Sequence, residues 1–391
     1  MAEGTECHLV GGILRDRALG LPSKDIDAVV SGRGREIADA LAAALPARFV
    51  LLGGKEFAAY RLVAADVDVD LWDRAEMSLH EDLARRDFTL NSVALDIRSG
   101  EVTDPFDGLG DIERRLLRAT TPESFTGDPL RVLRLPRMLL RLPGFAADPD
   151  TLTLARRSSA RIVDVAAERV RDELSFLFDH PDAHRGLALL VALDLYPGLW
   201  LGTPGEPGRP GGAIGELEAL PARVLDIRKL DPEVSIDAKT ARWAAAFAHL
   251  PADSLEKFRD AGYLIRSEAA KVALLLSFES LPEDEIGRRR FLHQAGPLWA
   301  TVAVSLGARS GDPARWRSAL RPLVDLARRE GKILFDPPRL LTGQEVQELL
   351  GIPAGPKVGE ALSAVRQAQV DGRVGTREEA VALLSSLPEN P

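Results

Sequence analysis

The sequence predicts an α+β fold, with a small mixed α/β head over residues 1–118 followed by an all-helical neck (119–180), body (181–335) and tail (336–391). Two observations predict it. Runs with strand character are confined to the first 118 residues, and beyond residue 119 long Ala-, Leu- and Arg-rich segments take over, which favours helix throughout. The Gly- and Pro-rich stretches Leu201–Glu216 and Phe335–Gly343 punctuate the helical part and read as exposed breaks between subdomains.

In chain order, Gly11 and Gly12 come first, placed just ahead of "DIDAVV", Asp25 to Val30. Ile26, Ala28, Val29 and Val30 make this a short strand, whose period of two puts Asp25 and Asp27 on one face, starting about 6 to 7 Å apart. Two carboxylates at that spacing suit hard cations. A Mg²⁺ pair about 3.5 to 4 Å apart clamps the attacking and leaving oxygens of a phosphoryl displacement. The two glycines let backbone N–H groups approach a triphosphate with no Cβ in the way. Taken alone, D-x-D also fits a solvent-facing strand edge or an Asx turn.

"GREIADALAAAL" has helical spacing, while "RFVLLGG", "EFAAYRLV" and "DVDVDLW" read as strands. In the last of these Asp66, Asp68 and Asp70 alternate with apolar residues and so share a face. Such like charges repel unless cations or basic side chains are near. Further on, "RRDFTLN" spans Arg85 to Asn91, and "GDPLRVLRLPRMLLR" carries Arg131, Arg134, Arg137 and Arg141 at helical spacing. Asp128 before Pro129 has the pattern of a helix cap. Pro136 inside the helix is expected to remove a backbone hydrogen bond and kink the axis.

Composition bounds the function. Cys7 is the single cysteine, so no intrachain disulfide forms, and no signal peptide or run of about 18 apolar residues is visible, as expected of a cytoplasmic enzyme. His180 and His184 are separated by Pro181 and read as a surface loop, not a metal face. The net charge of −9 is unevenly spread. Residues 301–340 hold eight basic against four acidic side chains. Arg315, Arg321 and Arg328 are candidate phosphate-backbone contacts there, although a solvated helix face accounts for the same pattern.

With G-G-x-x-R-D, D-x-D, R-R-D-F-T-x-N and D-P-x-R-x-L-R in this order, the chain resembles the bacterial-type (class II) tRNA nucleotidyltransferase and poly(A) polymerase family, and the segment from Leu340 onward resembles that family's tail. The likeness runs from about residue 8 to 385. It implies a nucleotidyltransferase head with Asp25 and Asp27 as catalytic metal ligands for Mg²⁺, joined by Asp70, with Asp68 as the alternative third carboxylate. It implies that Gly11, Gly12, Arg15, Arg86 and Asn91 hold the incoming nucleotide, and that Asp128, Arg131 and Arg134 belong to the base-reading helix. Asp87 and Phe88 read as structural, an ion pair and a core anchor. An Asp–Arg template suits cytosine, since Asp128 accepts from the amine while Arg131 donates to the ring acceptors, and uracil would set a carbonyl against Asp128.

Three departures stand out. Gly127 occupies the position of a family Glu, Pro136 that of a small helix former, and only fourteen residues, Leu71 to Ala84, separate Asp70 from Arg85. The short connection resembles CC-adding members, which use CTP and do not switch to ATP. The resemblance therefore implies CC addition to the 3′ end of tRNA. The alternatives are a complete CCA-adding enzyme using CTP and ATP, a poly(A) polymerase, and an RNA-binding protein that has lost catalysis. No general base is assigned.

Overall fold

The computed structural model describes residues 5–45, 47–52, 59–196 and 210–386 of the 391-residue chain. Two compact units divide it, Met1–Leu177 with Leu189–Leu199, and Phe178–Ala188 with Trp200–Pro391.

The first unit is built on a sheet ordered β3-β4-β5-β2-β1-β6-β7, with β1 Cys7–Val10, β2 Asp25–Val30, β3 Arg48–Leu52, β4 Ala59–Val63, β5 Asp68–Asp73, β6 Ala94–Asp96 and β7 Val102–Thr103. Only β2 and β5 pair in parallel; the other neighbours are antiparallel. Alternation drives the strands: in β4 Tyr60 and Leu62 are buried while Arg61 is not, and in β5 Val69 and Leu71 are buried between Asp68, Asp70 and Trp72. Helix α1 (Gly12–Ala18) follows β1, and α2 (Gly34–Ala44) covers the sheet with Ala38 buried. Gly34 admits Asp73, because a Cβ there would stand 2.8 Å from its side chain.

The short α3 (Leu79–Ala84) starts five residues after β5 and is fixed by a capping box, in which Ser78 accepts from the Glu81 N–H and Glu81 from the Ser78 N–H. Phe88 is fully buried and meets Phe125 edge-on at 6.4 Å. Three further helices follow, α4 (Gly108–Arg114), the short α5 (Ser124–Gly127) and α6 (Arg131–Arg141), and α6, which continues through the buried Pro136, is the one that lines the site.

The second unit is helical among its described residues. Trp243 stacks on Phe178 at 4.1 Å and touches Phe247 and Phe258 to form its core. A separate cluster around Val346, Ala368, Ala380 and Leu384 holds the last three helices, Gly343–Leu350, Pro356–Val370 and Arg377–Ser385. Among the described residues no helix is long and apolar enough to cross a membrane.

Four sequence expectations need correction. Asp66 lies before β5 in the turn closed by the Ala64 N–H to Val67 C=O bond, so it does not share the strand face of Asp68 and Asp70. The break at Leu201–Glu216 falls partly outside the described residues, and its end, Pro210 to Glu216, begins a helix running to Leu230. Packing explains that helix: a Cβ on Gly212 would lie 2.6 Å from the His249 ring, and His249 bonds Glu216 at 2.7 Å. His184 sits on the helix Ala183–Ala192, not in a loop. Past residue 119 the described residues also include a two-residue strand, Ala146–Ala147, paired with Leu116–Leu117.

Candidate active site

A cavity of about 600 Å³ opens in the first unit. On one side stand Asp25, Asp27 and Asp70, on another the turn of Gly11 and Gly12, and on a third the arginines of α6, Arg131, Arg134, Arg137 and Arg141. Register creates the acidic side. In the parallel pair Asp27 lies beside Asp70 and Asp25 beside Asp68, so the four carboxylates share one sheet face. Burial, followed by Asp70 and Asp25, raises the Asp27 carboxyl above its ordinary value, while Arg86 and the Gly12 N–H pull against that rise. Asp70 therefore adjoins Asp27 more closely than Asp68 does. Both its oxygens are held by Arg61, at 2.8 Å each.

The donor set suits a hard cation. Among the described residues no three acidic, His or Cys side chains are arranged to hold a metal alone, so a cation at Asp25 and Asp27 would complete its shell with nucleotide or water oxygens, the usual habit of Mg²⁺. A positive charge there would also offset the burial and the like-charge repulsion that raise Asp27.

Gly11 has φ 73°, and a Cβ on it would stand 3.0 Å from an Asp27 oxygen and 3.1 Å from an Arg86 nitrogen. Both the backbone conformation and the space require glycine. Arg86 is tied to Asp82 at 2.9 Å, which leaves its head between Gly11 and the cavity.

Arg15 and Asn91 sit in a polar chain that crosses the unit. Arg141 donates to Asp16, which receives Arg15; Arg15 donates to Asn91 at 2.6 Å, and Asn91 donates to Asp87 at 2.8 Å. Arg134 then stands 3.5 Å from both Asp87 and Glu173, and Arg137 reaches Glu173 at 3.0 Å. Burial would raise the Asp87 carboxyl, but Arg134, the Asn91 amide, the Phe88 N–H and Arg131 together hold it below the ordinary range. Glu173 is 6 % exposed and raised by burial, with Arg137 and Arg134 opposing. Sequence reasoning missed Glu173, which lies far along the chain from the stripe that it orients, and Arg61, whose position follows from closing the hairpin at residues 64–67 so that Arg61 meets Asp70.

The two residues expected to read the base are engaged elsewhere. Asp128 accepts from the Leu130 N–H and from Arg169 at 3.0 Å. Arg131 lines the cavity but donates to the carbonyls of Arg85, Arg86 and Ser124. The candidate tRNA contacts in the second unit also have partners: Arg315 pairs with Glu283 and Arg328 with Asp231, while Arg321 is exposed. At about 100° per residue, Arg321 and Arg328 share a helix face that Arg315 does not.

Residues 7–118 match the poly(A) polymerase head domain, and residues 144–202 match a probable RNA- and SrmB-binding site of polymerase A. The chain is 30 % identical to the CC-adding tRNA nucleotidyltransferase of Synechocystis sp., covering 97 % of this chain and 93 % of that one. It is equally 30 % identical to the A-adding tRNA nucleotidyltransferase of Deinococcus radiodurans, over 97 % and 95 %. A CCA-adding enzyme in complex with CTP shares the fold at a TM-score of 0.71 and 22 % identity, over 98 % of this chain and 91 % of that one.

Proposed function

Since the chain belongs to the bacterial-type tRNA nucleotidyltransferase and poly(A) polymerase family, we propose that it adds CTP-derived nucleotides to the 3′ end of tRNA and stops after two, releasing pyrophosphate at each step. The observation that carries this reading is the cavity in which Asp25 and Asp27 face the Gly11–Gly12 turn and the arginines of α6. Carboxylates on one wall and phosphate-binding groups on the other are what a nucleotidyl transfer needs.

Asp25 and Asp27 would hold Mg²⁺, which on binding supplies charge stabilisation for the attacking and leaving oxygens. Gly11 and Gly12 present backbone to the triphosphate, and Arg86, steadied by Asp82, faces it with a fork of donors. Arg15 and Asn91 act one step back, through the chain that holds Asp87 and Arg134. Arg134 joins Arg137 and Arg141 on the nucleotide side of the cavity. Asp128 accepts the cytosine amine after exchanging Arg169 for the base, and Arg131 offers the ring a donor while bracing residues 85–86. The tRNA 3′-hydroxyl is oriented for in-line attack on the α-phosphate. With tRNA and CTP as substrates, the proposed site of action is the cytoplasm.

Restriction to cytidine rests on rigidity. Five residues join β5 to α3, and the Ser78–Glu81 capping box pins the end of that connection. A pocket whose β5–α3 connection is this short keeps one shape there and reads one base. The complete CCA-adding enzyme, using CTP and then ATP, is the second reading, and a poly(A) polymerase or an inactive RNA-binding protein fits the intact acidic wall and the tRNA-specific relatives less well. Incubating the protein with tRNA lacking its 3′ end and each nucleotide in turn tests the proposal. Incorporation of CTP alone supports it; incorporation of ATP onto a cytidine-ended tRNA overturns it.

A further inference from the structure

Asp27, Asp70 and Arg61 form a row across three adjacent strands. Asp27 of β2 lies beside Asp70 of β5 in the parallel pair, and Asp70 lies opposite Arg61 of β4 in the antiparallel pair. One row along, Asp25 lies beside Asp68, and the residue opposite Asp68 on β4 is the uncharged Val63. Four carboxylates thus share this part of the sheet face with Arg61, while Arg48 lies beyond Val63 in the next row and Arg86 approaches Asp27 from outside the sheet.

Arg61 meets Asp70 through its fork. Nε donates to one oxygen and Nη2 to the other, both at 2.8 Å, the planar bidentate geometry that makes an Arg–carboxylate pair strong and directional. Asp70 first, then more weakly Asp68 and Asp25, hold the guanidinium in its charged form. The fork takes one lone pair of each oxygen and turns the carboxylate toward β4, on the opposite side of β5 from Asp27. A cation bound at Asp25 and Asp27 that draws Asp70 toward β2 does so against the orientation the Arg61 fork imposes.

We propose that Arg61 is the resident counter-cation of Asp70 and competes with divalent metal for that carboxylate, keeping it oriented but withheld in the nucleotide-free enzyme. This rests on the reading that Asp25 and Asp27 bind metal. It makes Arg61 a positioning residue, and it makes the third carboxylate conditional on the release of an ion pair. Arg61 is 43 % exposed on its side chain, so replacing it leaves the core intact.

The experiment measures Mn²⁺ binding to the full-length, nucleotide-free protein by electron paramagnetic resonance and calorimetry. Arg61→Gln is expected to tighten Mn²⁺ binding on the order of fivefold to tenfold, by removing a nearby charge and freeing Asp70. Arg61→Lys, which keeps the charge but loses the fork, is expected to fall between the two. The same Arg61→Gln change made in an Asp70→Asn background is expected to tighten binding less than about twofold, since the freed ligand is gone. Unchanged affinity in Arg61→Gln overturns the proposal. So does an equal gain with and without Asp70, which would mean a general charge effect and no competition. Asp27→Asn separates the two readings: retention of wild-type Mn²⁺ affinity in that variant overturns the metal site itself, whatever Arg61 does.

Discussion

Arg131 carries two duties that one substitution separates. Its Nη atoms donate to the carbonyls of Arg85, Arg86 and Ser124, and so bind the loop before Phe88 to the start of α6. Arg131→Ala removes all three donors. The Arg85 carbonyl bond is exposed and regains water at little cost, but the other two bonds are part-buried. The Arg86 carbonyl keeps the Ser124 hydroxyl at 3.4 Å, so the acceptor left unpaired is the Ser124 carbonyl, at about 1 to 3 kcal/mol. For a unit of this size that corresponds to a Tm lower by roughly 2 to 12 °C. Near-ultraviolet circular dichroism during a thermal melt reads this directly. Arg131→Lys, with a single donor head in place of a fork, should recover at most part of the loss. The kinetic half follows from the same bonds. In the proposed site Arg86 faces the triphosphate and Arg131 the base, so loosening residues 85–86 should raise KM for CTP and UTP alike, and losing the Arg131 donor should also lower the CTP-over-UTP ratio of kcat/KM. A melt within 1 °C or so of wild type would refute the bracing role. An unchanged ratio alongside the lower Tm would reduce Arg131 to a brace and return Asp128 to a turn residue.

Asp27→Ala should lower nucleotide incorporation by about two orders of magnitude or more while tRNA affinity stays within a few fold, because the lost ligand acts mainly on the transition state; near-normal turnover at saturating Mg²⁺ would sink the assignment. Asp27→Asn should raise the Tm of the metal-free protein at neutral pH. Burial raises the native Asp27 carboxyl, so its ionisation costs folding free energy in full above that raised value, and the cost fades to nothing as pH falls below the ordinary 3.8. The advantage of Asp27→Asn should therefore shrink on acidification, and a constant difference across that window would contradict the assigned cause. With tRNA lacking its 3′ end and all four nucleotides present, sequencing gels should show two added cytidines and a stall; efficient terminal adenosine addition would mark a complete CCA-adding enzyme. Charge reversal at Arg321 should lower the salt slope of tRNA binding by about one, whereas Arg315 and Arg328, paired with Glu283 and Asp231, should move it less. Equal effects at all three would argue for a continuous patch.

The sequence by itself determined whatever depends on neighbours in the chain. The period of two over Asp25–Val30 put Asp25 and Asp27 on one face, the helical spacing from Arg131 set an arginine stripe, and the double glycine marked the turn whose first member has φ 73°. The loss of strand signal after residue 119 placed the change from sheet to helix. Tertiary structure alone decided the partners. Asp70 became the neighbour of Asp27, and Arg61 the holder of Asp70, only when β2, β5 and β4 took their register. Arg141 reaches Asp16 across 125 residues, Glu173 reaches back 36 to Arg137, and Arg169 takes the Asp128 oxygen that the motif assigned to a base. Periodicity cannot supply such pairings. Backbone geometry repeats every two or 3.6 residues and is readable locally, whereas which buried charge meets which is settled by desolvation, since a charge withdrawn from water must find a partner among the groups the folded chain brings near it.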